Sequence, residues 1–162
     1  MVSSEQIYHI LSTVTDPEVP VLTILDLGIV RDVLVNEEEQ LVQVYITPTY
    51  SGCPAMDVIA MQIKMALLGN GIKNIEVIHQ ISPAWTTDWM TEAGKVKLQQ
   101  YGIAPPVQKS SHIMGLFEEP VVLCPRCNSI NTQLVSQFGA TSCKAQYRCL
   151  DCKEPFEHFK CH

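Results

Sequence analysis

The chain has 162 residues, seven of them cysteine, and a formal net charge of −6. Residues 1–119 hold 6 Lys and Arg against 14 Asp and Glu, whereas residues 120–162 hold 5 against 3. Because proteins bind nucleic-acid backbones by neutralising phosphates with Lys and Arg, the acidic larger part argues against a nucleic-acid role. No apolar run reaches membrane-spanning length and the N-terminus has no export signal, so the sequence predicts a cytoplasmic protein that does not enter a membrane.

The first hundred residues predict helices packed on a small sheet. Ser3 or Ser4 can cap a helix that Asp16-Pro17 ends, and an ordered loop then runs to Gly28. The β-rich runs 29–35 and 41–47 flank a charged turn, which predicts a hairpin. An apolar helix at 56–68, a third strand at 74–81 and an amphipathic region at 87–101 follow. This order of elements favours an α+β fold.

Cys53 stands apart from the other six cysteines, directly before Pro54 at the beginning of the 56–68 helix. An N-cap-like position of this kind favours a thiolate, because unpaired amides and the helix dipole stabilise negative charge. Acids of the preceding loop and a nearby hydroxyl can complete a transient site for iron or another cation. These candidate residues are Asp16, Glu18, Asp26 and Thr49. In the alternative interpretation, Cys53 is a structural residue and the acids are loop, solvent-facing and turn residues.

The last forty residues predict a small metal-bound β ribbon. Two C-x-x-C motifs, Cys124 with Cys127 and Cys149 with Cys152, are separated by 21 residues that contain β-type runs. Four thiolates complete a tetrahedron and leave no position for water, so the pattern predicts structural zinc rather than a hydrolytic metal. Iron in the same sulfur cage and a pair of redox dithiols are the alternatives.

Cys143 and Cys161 remain outside this set of four. If the second C-x-x-C motif is the turn of a hairpin, residues whose numbers sum to about 303–304 face each other, which predicts that the two thiols are cross-strand neighbours. Such a pair can act as a dithiol switch or a second metal site, or the two residues can simply pack as small apolar side chains.

The order of three motifs resembles a known family. Residues 16–18 (DPE), 26–28 (DLG) and 49–54 (T-x-x-x-C-P) occur as in the MIP18-like, or DUF59, family of metal-sulfur cluster assembly proteins. The resemblance implies that the family's conserved cysteine is Cys53 and that its acidic positions are Asp16, Glu18 and Asp26. With the ribbon, the whole chain is similar to the D components of bacterial phenylacetyl-CoA epoxidases, a resemblance that also covers Cys143 and Cys161.

The resemblance implies a non-enzymatic maturation factor that assists iron or iron-sulfur assembly in another epoxidase subunit, either the di-iron catalytic subunit or the iron-sulfur reductase. The sequence agrees, since its one Glu-x-x-His run, Glu76 to His79, falls in the predicted strand at 74–81 and it has no pair of such motifs on long helices for a di-iron centre. It also has no Gly-rich phosphate turn. A purely structural bridging subunit and a thiol-redox protein using Cys143 and Cys161 are the alternatives. We expect a MIP18-like domain over 1–103, a linker or arm over 104–119 and the ribbon over 120–162. Exposed apolar residues at 113–117 are consistent with self-association.

Overall fold

The structure is a computed structural model that describes residues 2–107 and 121–160. It contains two compact units, which divide between Gly94 and Lys95. The apolar residues at 113–117 lie outside the described residues, as does most of the predicted arm. Within the described ranges no helix is long and apolar enough to cross a membrane.

The N-terminal unit is built on a three-stranded sheet with the order β1-β2-β3. Strands β1 (Val30–Asn36) and β2 (Leu41–Ile46) form the predicted antiparallel hairpin, and β3 (Asn74–His79) pairs in parallel with β2. Burial alternates along β2, where Val42, Val44 and Ile46 point into the core. The sheet therefore buries one face, as an alternating pattern of apolar residues requires.

Two helices pack on this sheet. Helix α1 (Ser4–Leu11) begins with a capping box in which Ser3 and Gln6 exchange side-chain to main-chain hydrogen bonds. It ends earlier than the sequence predicted, because the hydroxyls of Ser12 and Thr13 donate to main-chain carbonyls three residues back and the chain turns. Helix α2 (Ala55–Gly69) buries Met56, Ile59, Ile63 and Leu67 against the core.

The loop between α1 and β1 is fixed by the segment that precedes the third helix. The indole nitrogen of Trp85 donates to the carbonyl of Leu27 at 2.7 Å, and the amide of Thr91 donates to the carbonyl of Asp26 at 2.9 Å. Gly28 has a φ of +68°, and a Cβ there would collide with the main-chain carbonyl of Trp89. The glycine of the DLG motif is thus required by both backbone conformation and close packing.

The predicted amphipathic region at 87–101 is interrupted. A short 3₁₀ turn (Thr87–Trp89) comes first, and α3 (Glu92–Tyr101) begins only after Met90, whose backbone is extended. The hydroxyl of Thr91 then accepts a hydrogen bond from the amide of Gly94, as an N-cap residue does.

The C-terminal unit contains a four-stranded sheet with the order β4-β7-β6-β5. Its strands are β4 (Ile103–Ala104), β5 (Thr132–Ser136), β6 (Lys144–Cys149) and β7 (Pro155–Phe159). The pairing of β4 with β7 places residues 103–104 in the ribbon sheet, whereas the sequence placed the domain boundary at residue 103. Two residues are too short a strand to carry a periodic signal, which is why the sequence does not show it.

His158 lies inside the C-terminal sheet, where β4 meets β7. Its Nδ1 atom is 3.3 Å from the carbonyl oxygen of Ala104, and its ring meets that of Tyr147 edge to face at 5.6 Å. Burial lowers the pKa of His158 below its ordinary value, an effect that the Ala104 carbonyl opposes and the charge of Lys160 reinforces. The neutral imidazole is therefore the form that the sheet accommodates.

We predict that His158 makes this unit less stable in acid. The unfolded chain takes up a proton near pH 6.5 and the folded chain does so only at lower pH, so the free energy of unfolding falls as pH drops below about 6.5. Thermal unfolding of wild type and His158→Gln should be compared at pH 7.5 and 5.5, with the wild type losing more stability. Both proteins keep the four ribbon cysteines, so acid affects the cysteine cluster equally in both. Equal losses of stability in wild type and His158→Gln would therefore contradict the prediction.

Candidate metal centres

The four ribbon cysteines converge on one point. The sulfur of Cys124 lies 3.7 Å from that of Cys152, and the sulfur of Cys127 lies 3.6 Å from that of Cys149. All four sulfur atoms lie within 4.8 Å of one another. Four sulfurs at about 2.3 Å from one ion in a tetrahedron stand about 3.8 Å apart, so the arrangement fits a single tetrahedral metal.

The two turns that carry these cysteines have the same construction. In each, the amide of the first cysteine donates to the carbonyl five residues later: Cys124 to Ser129 at 3.0 Å and Cys149 to Glu154 at 2.9 Å. In each, the residue before that carbonyl has a positive φ, +58° at Asn128 and +66° at Lys153. This repeated backbone curvature brings both thiols of each turn to one side.

Asp151 connects the two turns. Its carboxylate accepts hydrogen bonds from the hydroxyl of Ser129 and from the side-chain amide of Asn131, the latter at 3.0 Å. These bonds lower the pKa of Asp151, so it stays ionised at neutral pH. The amide of Leu150 also donates to the carbonyl of Asn131 at 2.8 Å. The register of the turns is thus set by polar contacts independent of the sulfurs.

The thiols have very different acidities. Hydrogen bonding from the amide of Cys152, with a contribution from Asp151, lowers the pKa of Cys149 to about 7. The main-chain amide of Ser129 favours the thiolate of Cys127, yet burial and the neighbouring thiols raise its pKa to about 12. Without a cation the sulfurs cannot all ionise together. A bound divalent metal supplies the charge that lets them do so.

We predict that Cys149→Ser removes the metal and unfolds the C-terminal unit. Since this unit is too small to depend on apolar burial alone, loss of one thiolate should reduce bound metal from one ion per chain towards none. Elemental analysis with far-ultraviolet circular dichroism measures both effects. Cys143→Ser is the matched control, because Cys143 is outside the cluster, and it should keep full metal content. Full metal content in Cys149→Ser would contradict the assignment.

Cys53 lies at the other candidate centre, in the N-terminal unit. It is half-buried, its amide donates to the carbonyl of Tyr50 at 3.3 Å and its carbonyl accepts from the amide of Met56 at 3.2 Å. The N-cap residue of α2 is Pro54, one position later than the sequence suggested. The thiol of Cys53 nonetheless receives a hydrogen bond from the amide of Ala55, the first helical residue.

The acidic loop reaches this cysteine. Asp16 is buried, and its Oδ1 atom accepts hydrogen bonds from the amides of Glu18 and Val19, each at 2.8 Å. This turn places the charges of Asp16 and Glu18 close enough to raise the pKa of Cys53. Three of the residues singled out in the sequence are therefore brought together by the fold.

Asp26 has a different environment. Its carboxylate accepts from the amide of Thr23 at 3.0 Å and from the hydroxyl of Thr91 at 3.3 Å. Asp26 is buried, and a Cβ at Gly94 would lie only 3.0 Å from its own Cβ. These contacts hold the DLG segment against the start of α3, so the structure gives Asp26 a structural role.

The prediction that the helix start favours the thiolate of Cys53 is wrong, because the pKa of this thiol is raised and not lowered. Burial raises the pKa of this thiol above its ordinary value, and Glu18 and Asp16 raise it further, although the Ala55 amide and the Tyr50 side chain favour the thiolate. The helix start is therefore outweighed by burial and by negative charge, which act through the tertiary structure. Tyr50, one of the hydroxyl residues next to Cys53 in the sequence, is the one whose side chain hydrogen-bonds the thiol. Thr49 is half-buried in the same turn.

Thr47 introduces this turn at the end of β2. It is buried, and its hydroxyl makes no hydrogen bond to any residue in the described parts of the chain. A buried hydroxyl without a partner carries a desolvation cost of about 1–3 kcal/mol.

The strand pairing of the ribbon hairpin falls within the predicted register, with partner numbers that sum to 303. Lys144 pairs with Phe159, and the amide of Lys160 donates to the carbonyl of Cys143 at 2.9 Å. Position 143 therefore faces Lys160, and the predicted pairing of Cys143 with Cys161 stays a prediction. Cys161 lies outside the described residues. The thiol of Cys143 is 3.0 Å from the hydroxyl of Thr141.

Two family models match the two parts of the chain. Residues 4–77 match a family described as iron-sulfur cluster assembly protein, and residues 108–160 match the PaaD zinc beta ribbon domain. The chain is also 49% identical, over 96% of its length and 92% of the relative, to an Escherichia coli protein named as the D component of 1,2-phenylacetyl-CoA epoxidase. The chain belongs to this PaaD family.

Relatives of the N-terminal part are named as maturation factors. A Porphyromonas gingivalis Fe-S protein maturation auxiliary factor is 34% identical over 59% of this chain and 90% of its own length. The crystal structure of a DUF59 domain from Bacillus anthracis is 31% identical, covers 58% of this chain and 89% of that one, and superposes with a TM-score of 0.54. The predicted α+β fold followed by a zinc ribbon is thus confirmed for a PaaD family member, and the relatives support a maturation role.

We predict that Glu18→Gln makes Cys53 more reactive. Removing this negative charge lowers the pKa of the thiol, so more thiolate is present at pH 8 and alkylation by iodoacetamide should accelerate by about twofold. Mass spectrometry of the peptide that contains Cys53 follows the rate. Glu5→Gln, an equal charge change in α1, is the control. Equal rates in Glu18→Gln and wild type would show that Glu18 does not act on Cys53.

Proposed function

We propose that this chain assists assembly of iron or an iron-sulfur centre in another subunit of a phenylacetyl-CoA epoxidase, and that it is not itself an enzyme. The observation that carries the proposal is the position of Cys53 beside Asp16 and Glu18 at the start of α2. A thiol next to two carboxylates is a mixed sulfur and oxygen donor set, which suits ferrous iron. The cargo is the metal, and the four ribbon cysteines hold a separate structural ion, which we assign as zinc.

The electrostatics of this site suit transient binding. Because burial raises the pKa of Cys53 and the charges of Glu18 and Asp16 raise it further, the thiol is protonated in the free protein at neutral pH. An arriving divalent cation offsets both negative charges and displaces the thiol proton. Return of that proton weakens the sulfur ligand, so the same acids that attract the cation also favour its release.

The ribbon has a different chemistry. One tetrahedral ion would use all four of its sulfurs and leave no open position for exchange. We therefore assign it to shape and to recognition of the epoxidase partner. This division gives the chain one permanent and one exchangeable metal centre.

We predict that Cys53→Ser lowers the iron content of the partner without affecting the ribbon. The epoxidase subunits should be co-expressed with wild type, Cys53→Ser or Cys143→Ser, and iron in the catalytic and reductase subunits should be measured after separation. We expect iron to fall several-fold in one subunit for Cys53→Ser alone, with zinc in this chain unchanged. The subunit that loses iron is the client.

Full iron in both subunits with Cys53→Ser would refute the proposal. If the variant still co-purified with the other subunits, that outcome would favour a purely structural bridge between them. Loss of zinc in Cys53→Ser would instead show that this variant is misfolded. In that case Cys53→Ala, which removes the same thiol, is used to test the proposal.

A further inference from the structure

The loop between β5 and β6, residues 137–143, presents an exposed aromatic side chain. Phe138 is 61% accessible, whereas the other two phenylalanines in the described part of the ribbon, Phe156 and Phe159, are buried. Three residues before Phe138, the register of β5 against β6 shifts at Val135, which is 66% accessible. An aromatic ring left outside the core close to a second exposed apolar residue is more typical of a protein interface than of a solvent-facing loop.

Hydrogen bonds fix the backbone of Phe138 on both sides. The hydroxyl of Ser136 accepts from the amide of Phe138 at 3.3 Å and donates to its carbonyl at 2.9 Å. The amide of the next residue, Gly139, donates to the carbonyl of Lys144 at 2.7 Å. Because the loop is already ordered, a partner that covers the ring does not have to order it, and binding loses less conformational entropy.

Lys160 gives this surface a positive charge. Its ammonium nitrogen lies 4.3 Å from the centroid of the Phe138 ring and also donates to the carbonyl of Gln137. The loop itself contains no charged residue, and the one acid of β7, Glu157, forms an ion pair with Lys144 at 3.1 Å. An apolar centre therefore stands beside a cation. The Phe138 patch is defined as Val135, Phe138 and Lys160.

We propose that the Phe138 patch binds an acidic surface of another epoxidase subunit, with the phenyl ring in an apolar cavity and Lys160 beside a carboxylate. The identity of the partner rests on the function proposed above, and its chemistry rests on charge complementarity. The ribbon from 121 to 160 holds five Lys and Arg against three Asp and Glu, so it favours a negatively charged partner. A single lysine beside an apolar ring is not the series of cations that binding to a phosphate backbone requires.

Affinities for the separated epoxidase subunits test the patch. Biolayer interferometry should detect binding of the wild-type chain to the catalytic subunit or to the reductase. Phe138→Ala should raise that dissociation constant by tenfold or more, because the ring at the centre of the contact is lost. Ile130→Ala is the matched control, since Ile130 is 71% exposed in the same ribbon outside the patch, and it should bind as wild type does. Zinc content and circular dichroism verify that each variant is folded.

The charge of the partner has its own test. Lys160→Gln should weaken binding and reduce the loss of affinity that wild type shows between roughly 50 and 500 mM salt, because one attractive charge pair is removed. An unchanged salt dependence in Lys160→Gln would overturn the acidic character of the partner.

Three results overturn the patch as the binding surface. They are a wild type that binds neither subunit, a Phe138→Ala variant with unchanged affinity, and an Ile130→Ala variant that loses as much affinity as Phe138→Ala. Cys53→Ser separates this inference from the iron-assembly role, because it should keep the wild-type affinity while the iron content of the partner falls. Normal binding by Phe138→Ala with low iron for Cys53→Ser refutes the patch alone, and the reverse pattern refutes the role of Cys53 alone.

Discussion

The convergence of four sulfurs within 4.8 Å of one another is the constraint on which the C-terminal unit depends. Thiols at this distance cannot all ionise without a cation, and the unit is too small to be held by apolar burial alone. The two matching turns, with their positive φ at Asn128 and Lys153, produce the convergence. Asp151 joins the turns with hydrogen bonds, so the backbone presents the sulfurs already in place and a metal mainly has to neutralise them.

The candidate site of the N-terminal unit differs from the four-sulfur cluster, because it is half-buried and carries an excess of negative charge. Asp16 fixes the acidic loop by accepting two main-chain amides, and this brings Glu18 to the thiol of Cys53. Burial of Cys53 raises the pKa of the thiol, these two charges raise it further, and the thiol of the free protein therefore stays protonated. A site that a cation must deprotonate binds more weakly than a preformed cage, which is the difference expected between an exchangeable and a permanent metal centre.

Helix α2 positions the turn that bears Cys53. Its core face packs on the sheet and fixes the turn at residues 50–54, while Val58, Met61, Met65 and Leu68 are exposed apolar residues that do not serve the core. The helix therefore carries apolar residues on most of its circumference, and its sequence pattern alone does not show which of them are buried. Only the burial of each side chain separates the face that stabilises the fold from the exposed apolar residues.

The amino-acid sequence is sufficient for the elements whose signals are local. The spacing of Cys124, Cys127, Cys149 and Cys152 specifies a four-sulfur cage, and alternation in β2 specifies a strand with one buried face, because both depend on neighbouring residues alone. Tertiary contacts fix what depends on distant residues: the exact register that sets Cys143 opposite Lys160, the pairing of β4 with the ribbon, the structural use of Asp26, and the acidity of Cys53. A one-residue shift in register costs little in sequence pattern but changes which side chains meet, and a pKa follows burial and charges contributed by residues far apart in the chain.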